Sequence, residues 1–299
     1  MKVLITGSTG FVGRYLVPKL ILQGHSVIEI TIEPEVSEKL YGESTSKILV
    51  SENQAAFTCA VEKANPEVVI HLASYLTSSD DYHTLQKLLS TNIIFLCRLL
   101  DALKKTDLNL FVNTGTFAEY YKGDGVFNPA YLYSATKTAS RSFLDYFSNV
   151  YNFKQTTVVP YTIYGGNDSQ KKIIDIIYDS INSEKPIDSS PGEQILDFIH
   201  VDDVADFYIH LLNNCNQLPN KSNFQLGTGN GHTIKQLATI IEKLSSQKTN
   251  LNWGAKPYRQ TDVMYAVANP DFIIGKTNWK PNIDLEMGIR MFLNNRRKL

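Results

Sequence analysis

Apolar and polar positions fall into two textures along the chain. Short runs of β-branched and aliphatic residues recur at Val3-Leu4-Ile5-Thr6, Ser26 to Thr31, Val68-Val69-Ile70-His71-Leu72, Leu110-Phe111-Val112-Asn113 and Thr156 to Pro160. Between them lie segments of helical spacing, including Asn92 to Leu103 and Ala135 to Phe147. Near-continuous apolar runs predict strands buried on both faces, and their alternation with helices predicts a parallel sheet. After Tyr164-Gly165 the texture changes: polar loops such as Asn182 to Gly192 separate shorter elements. Gly227-Thr228-Gly229-Asn230-Gly231 reads as a turn, and Thr233 to Leu244 as a helix with Ile234, Leu237, Ile240, Ile241 and Leu244 on one side.

The expected fold is therefore α/β, a Rossmann-like doubly wound parallel sheet with a smaller C-terminal α/β lobe. Residues 1–164 form the dinucleotide-binding domain in this reading, and 165–299 mainly the substrate-binding lobe. Segments near 195–212 and 262–280 are expected to return to the first domain.

Bulk properties narrow the function classes. With 299 residues, 43% hydrophobic and 20% charged, the chain has enough apolar material for one large core or two modest ones. A formal net charge of −1 provides no global positive field for nucleic acid or an anionic membrane. Cys59, Cys97 and Cys215 are scattered without C-x-x-C spacing, which fits neither a disulfide framework nor a zinc site and suits a reducing cytoplasm. The start, MKVLITGSTG, meets glycine too soon for a signal peptide, and no apolar run approaches the roughly 20 residues of a membrane span. A soluble cytoplasmic protein is expected, with no metal.

Gly7-x-x-Gly10-x-x-Gly13 follows the first strand and opens a helix. Glycine lets the backbone approach a pyrophosphate, while the helix start supplies N–H donors and a positive dipole end. Gly7, Thr9, Gly10, Phe11, Val12, Gly13 and Arg14 are candidate cofactor contacts. The end of the second strand, where NAD-binding chains usually carry an acid for the ribose 2′-hydroxyl, is the neutral Thr31. Arg14 suits a 2′-phosphate, so NADPH is the expected cofactor, with NADH or NAD open if Glu33 or Glu29 takes the ribose.

Tyr133-Ser-Ala-Thr-Lys137 places a phenol and an ammonium four residues apart, on one helix face. A free phenol titrates near 10, and work near neutrality requires roughly 4 kcal/mol of stabilisation of its anion. A cation about 5 Å away at an effective dielectric near 20 supplies roughly 3 kcal/mol. The pair is thus a candidate for proton exchange with a hydroxyl or carbonyl oxygen. Tyr15-Leu-Val-Pro-Lys19 has the same spacing, but it lies on the helix after the glycine loop and contains a proline. Thr116, just past the fourth strand, is placed to hydrogen-bond the reacting oxygen.

Taken in order, these motifs resemble the extended short-chain dehydrogenase/reductase family, the nucleotide-sugar epimerases, dehydratases and reductases. The resemblance spans nearly the whole chain and adds Val69-Ile70-His71-Leu72-Ala73, Asn92, Ile163-Tyr164-Gly165, Asp197-Phe-Ile-His-Val-Asp-Asp203 and Arg259-x-x-Asp262. It implies that Tyr133 is the acid/base, that Lys137 holds the nicotinamide ribose, and that Thr116 orients the substrate. Leu72 and Ala73 would line the cofactor channel, where Asn92 and Pro160 also belong. Arg259 and Lys172, or its neighbour Lys171, would bind the substrate diphosphate. His71 is expected to be packed rather than catalytic, and Asp202 and Asp203 to be a helix cap and a structural contact.

Departures from the pattern narrow the chemistry. The family's 4,6-dehydratases keep Asp-Glu after the catalytic threonine, where this chain has Phe117-Ala118. Leu196 and Val159 stand where many members carry arginine. The carboxyl half is similar to the CDP-abequose and CDP-paratose synthases, sharing Gly192-Glu-Gln, Gly227-Thr-Gly229, Asn269 and Trp279-Lys-Pro281. That implies NADPH-dependent reduction of the C4 ketone of a CDP- or dTDP-linked 4-keto-6-deoxysugar, for surface polysaccharide such as O-antigen. An NAD-dependent nucleotide-sugar 4-epimerase is the alternative, and a dinucleotide-sensing protein without chemistry is a third reading. The resemblance also implies a homodimer, paired through helices near Asn92–Leu103 and Ala135–Phe147.

Overall fold

Strand β1 (Lys2–Thr6) is buried at every position after its first, as are β2 (Ser26–Thr31), β4 (Val68–His71) and β6 (Lys154–Pro160), and β5 (Leu110–Thr114) is buried at every position before its last. Such strands need cover on both faces. Helices α1 (Phe11–Leu22), α2 (Pro34–Tyr41), α3 (Gln54–Ala64), α4 (Tyr82–Leu89), α5 (Phe95–Ala102) and α6 (Leu132–Tyr151) alternate with them, and β3 (Ser46–Leu49) forms one edge. The computed structural model describes residues 1–121, 125–166, 170–269, 271, 273 and 277–296. Part of the expected returning segment 262–280 thus lies outside the described residues.

All pairings in the large sheet are parallel, in the order β3-β2-β1-β4-β5-β6. Its winding reverses between β1 and β4, and in such sheets ligands bind in the crevice outside the carboxyl ends at that point. Thr6, His71, Asn113 and Thr157 stand in register across β1, β4, β5 and β6. All four are buried. A row of polar side chains therefore floors the crevice.

Beyond β6 the chain builds a smaller sheet in which β7 (Thr162–Tyr164) and β9 (Ile195–His200) pair in parallel. Strand β8 (Ile187–Ser189) lies apart and pairs with a later segment, Leu251–Trp253. After α7 (Ile173–Ser180) and α8 (Val201–Asn213), strand β10 (Ser222–Leu226) returns to the large sheet beside β6 as its seventh strand. Helix α8 packs on α1 through Val204, Phe207, Tyr208 and Leu211. A separate core joins Tyr164, Ile177 and Phe198 to α9 (Ile234–Ser245) and to the helix Leu285–Arg296.

Two buried carboxylates connect these parts. Asp197 accepts the backbone N–H groups of Thr228, Gly229 and Ala268 and the Thr228 hydroxyl. Asp203 accepts those of Asn282 and Ile283, the structural contact expected of it. The helix cap is His200, which accepts the N–H of Asp202. The expectation that Asp202 is the cap is corrected, because its residue already lies in the first helical turn.

Among the described residues no helix is long and apolar enough to cross a membrane. No group of three or more His, Cys, Asp or Glu side chains there is placed to hold a metal ion.

Candidate active site

Gly7 occupies φ +73°, and a Cβ there would stand 2.7 Å from the backbone nitrogen of Ala73. A Cβ on Gly13 would meet the Gly7 carbonyl oxygen at 2.3 Å. The two glycines thus allow β1, the start of α1 and the end of β4 to crowd together. Gly10 caps α1 without a side-chain bond, and the first helical turn carries no acid, so the helix start suits an anion. Above it opens a cleft of about 440 Å³, lined by Thr9, Thr31, Glu33, Ala73, Ile94 and Arg98 among others. The cradle fits a dinucleotide.

Thr9 organises the outer end of the cleft. Its hydroxyl donates to Glu33 at 3.0 Å, while its carbonyl accepts Arg14 Nε at 2.7 Å. The Thr31 hydroxyl accepts the Glu33 N–H. Glu29 is fully buried and accepts from Ser37 and Thr45, so it is not available to a ribose. Of the two acids considered from sequence, Glu33 is the one that lines the cleft.

The inner wall is set by Thr6. Its hydroxyl accepts the Ala73 N–H at 3.1 Å and lies 2.8 Å from His71 Nδ1. Burial, with the Lys137 charge second, pushes the His71 imidazole down to about 3. The ring is neutral and packed between Phe95 and Phe111, as expected. Leu72 packs toward the main core, as does Val12, whereas Ala73 lines the cleft. Pro160 ends β6 in register with Leu226.

Asn92 does not sit in a regular α-helix. It lies in a π-turn, Ser90–Ile94, between α4 and α5, which divides the segment read as one helix. Its amide accepts the Tyr75 N–H and the Ser74 hydroxyl, and donates to Thr136 Oγ1 at 2.9 Å. Thr136 donates in turn to the Tyr133 carbonyl. The bulge therefore links the end of β4 to the first turns of α6.

Tyr133 and Lys137 share one face of α6 and are 8% and 4% exposed. Burial pushes the Tyr133 phenol up to about 12; a hydrogen bond with Ser74 opposes this and the Glu119 carboxylate adds to it. The sequence argument expected the ammonium to lower the phenol; in the folded chain desolvation prevails. Lys137 is brought down to about 8 by burial, with Glu119 opposing and Arg141 reinforcing. Tyr208 lies against Tyr133 and bonds Thr114 at 2.6 Å. Thr116 follows β5 and caps a short turn, Phe117–Glu119.

Arg259 Nη1 donates to Ser78 at 3.0 Å, and its charge acts on Tyr131, the cap of α6. It therefore bridges the later lobe to the loop after β4. Lys172 Nζ stands 4.0 Å from the centre of the Phe11 ring, beside the start of α1. Lys171 pairs with Asp179. The alternative Tyr15/Lys19 pair is structural: Lys19 binds Asp206 at 2.5 Å. Ser74 and Glu119 escaped the sequence reading, although Thr116-Phe-Ala-Glu119 carries a Thr-x-x-Glu capping signal.

Sheet order, glycine turn and cleft define the class of Rossmann-fold dinucleotide proteins. The chain belongs to the NAD dependent epimerase/dehydratase family, whose sequence model matches residues 3–227. It is 31% identical over 273 residues to the CDP-abequose synthase of Yersinia pseudotuberculosis, covering 88% of this chain and 91% of that one. Against the CDP-abequose synthase of Salmonella typhimurium it is 28% identical over 97% of both chains. Among solved structures, UDP-glucose 4-epimerase of Thermotoga maritima with UDP-glucose superposes with a TM-score of 0.87 at 23% identity, over 100% of this chain and 99% of that one. The Thermus thermophilus UDP-glucose 4-epimerase complex with NAD has a TM-score of 0.84 at 19% identity, over 99% of both chains.

Proposed function

We propose that this chain is a cytoplasmic enzyme that reduces the C4 ketone of a nucleotide-linked 4-keto-6-deoxysugar, CDP- or dTDP-linked, with NADPH. The observation that carries this reading is a buried phenol, Tyr133, one helical turn from the buried Lys137 and hydrogen-bonded to Ser74, which lines the dinucleotide cleft; Thr116 follows the neighbouring strand β5. Similarity to CDP-abequose synthases over 88% and 97% of the chain supports the substrate class. The bound dinucleotide would supply the hydride. Tyr133, held protonated at neutral pH by burial, donates its proton to the carbonyl oxygen. Thr116 orients that oxygen, and Lys137 holds the nicotinamide ribose. Arg259 and Lys172 offer charge to the substrate diphosphate, within a lobe built mainly from residues 165–299.

For the cofactor, Arg14 favours a 2′-phosphate while Glu33 opposes it; Arg98 in the same cleft tips the balance toward NADPH. Glu33 also motivates a second reading, an NAD-dependent nucleotide-sugar 4-epimerase. We further propose a homodimer through α5 and α6, where Ile94, Phe143, Tyr146 and Val150 are exposed.

Purified protein assayed with CDP- and dTDP-4-keto-6-deoxyglucose tests the reaction. Stoichiometric NADPH consumption supports the reductase; inversion at C4 of a 4-hydroxy nucleotide sugar such as UDP-glucose without added NADPH, on tightly held NAD, would establish the epimerase instead. Tyr133→Phe with full turnover on a verified substrate would remove the assigned acid.

A further inference from the structure

Behind the proposed acid–base pair lies a second pair of opposite charges that the reaction itself does not call for. Glu119 has no exposed surface. Its carboxylate accepts Arg141 Nε at 2.7 Å and Nη2 at 3.1 Å, and it also accepts the Thr116 N–H at 2.8 Å. Arg141 lies one turn beyond Lys137 on α6, so Tyr133, Lys137 and Arg141 fall on one face. Its remaining arm reaches Asn223 on β10 at 3.3 Å, and Asn223 donates to the Tyr120 hydroxyl. Gly115 makes room for the pair: a Cβ there would stand 2.5 Å from Glu119 Oε1 and 2.9 Å from Arg141 Nη2.

We infer that Glu119, paired with Arg141, is a positioning residue for the reaction, one that pins the Thr116 turn and sets the balance of charge around Lys137. This rests on the reductase reading. A buried ion pair is costly to desolvate and offers little net stability over apolar packing, so its bond to the Thr116 N–H, with Arg141 one turn beyond Lys137, calls for a role. Four ionisable neighbours set the environment of the pair Tyr133 and Lys137. They are Glu119 from the turn after β5, Arg141 from α6, His71 from β4 and Tyr208 from α8. His71 and Tyr208 are uncharged at neutral pH. That leaves Glu119 as the anion that favours the ammonium and Arg141 as the cation that disfavours it.

Glu119→Gln keeps an oxygen for the Thr116 N–H but removes the charge. Lys137 then faces Arg141 alone, and the basic limb of kcat/KM should move down by about one pH unit. Glu119→Asp should leave the limb in place. The double variant Glu119→Gln/Arg141→Gln removes both charges and should return the limb toward its starting position, whereas a purely structural pair predicts a double variant at least as impaired as the single. Isotope-labelled lysine NMR on the dinucleotide-free protein, with the Lys137 signal assigned by its loss in Lys137→Met, reads the same titration without any substrate. There Arg141→Gln should move the titration upward, which keeps the inference testable if Glu119→Gln does not fold. An unmoved Lys137 titration in Glu119→Gln, or a double variant shifted as far as the single one, overturns the inference. A wild-type chain that fails to reduce the ketosugar, yet shows the NMR shifts, overturns the reductase reading and leaves the charge coupling standing.

Discussion

The hydroxyl of Thr6 lies 2.8 Å from Nδ1 of His71, and the same oxygen receives the N–H of Ala73. With one proton and two lone pairs, the hydroxyl serves both partners at once, and the His71 ring beside it is neutral. The three residues fix the spacing between β1 and β4 where the dinucleotide cleft opens. Thr6→Val should deprive the part-buried Ala73 N–H of its acceptor, costing about 1 kcal/mol in urea unfolding. Dinucleotide affinity, measured by fluorescence titration, should fall with it.

The neutral His71 also makes stability depend on pH. Its imidazole titrates at about 3 when folded and near 6.5 in the unfolded chain. The unfolded state therefore binds the extra proton between those values, and stability falls as pH drops below about 6.5. At pH 5 the loss from this residue amounts to about 2 kcal/mol relative to neutrality. Urea midpoints across this range should be flatter for His71→Gln than for the wild-type chain, and equal slopes would exclude His71 as the source.

Activity should be bounded on the alkaline side by Lys137 rather than Tyr133. The lysine loses its proton above about 8, whereas the phenol keeps its own up to about 12. A profile of kcat/KM, which reports groups of the free enzyme, should bend downward near pH 8. A rate that stays level past pH 9 would contradict this assignment.

Arg14 and Glu33 both bond to Thr9, and the proposed NADPH preference is tested through them. Arg14→Ser should raise KM for NADPH roughly 10-fold or more, the worth of a charge-assisted hydrogen bond, with little change for NADH. Glu33→Gln removes a carboxylate from the same cleft and should lower KM for NADPH. Steady-state measurements with both dinucleotides decide the matter.

If α5 and α6 pair two subunits, a charge on the exposed Phe143 and Tyr146 rings should split them. Phe143→Glu/Tyr146→Glu should sediment at half the mass of the parent chain while retaining its far-ultraviolet circular dichroism.

The central strands announced themselves in the sequence, since β1, β4 and β5 each carry three consecutive buried apolar residues. Edge strands did not. β3 and β10 each open with two polar residues, Ser46-Lys47 and Ser222-Asn223, and only Phe224 and Leu226 of β10 pack into the main core. The glycine turn, Tyr133, Lys137 and Thr116 were legible because their spacing reflects backbone geometry. Ser74 was not, because only the π-turn around Asn92 brings it to the phenol. Helix α6 begins at Leu132, earlier than its apolar spacing suggested, and so takes Tyr133 into its first turn. The phenol's rise was hidden for another reason: sequence shows which charges are near in register, but not how completely water is removed from them.

Strand β10 lies against β6 at the rim of the large sheet, although β7, α7, β8, β9 and α8 all intervene between them in the chain. A fragment ending near Tyr164 would therefore leave β6 with bare N–H and C=O groups along one side. Exposed edges of that kind recruit further chains, so such a fragment should precipitate rather than persist as an independent nucleotide-binding unit. The open edge of the glycine-loop half is closed by residues that come later in the chain than β7 and β9 of the smaller sheet.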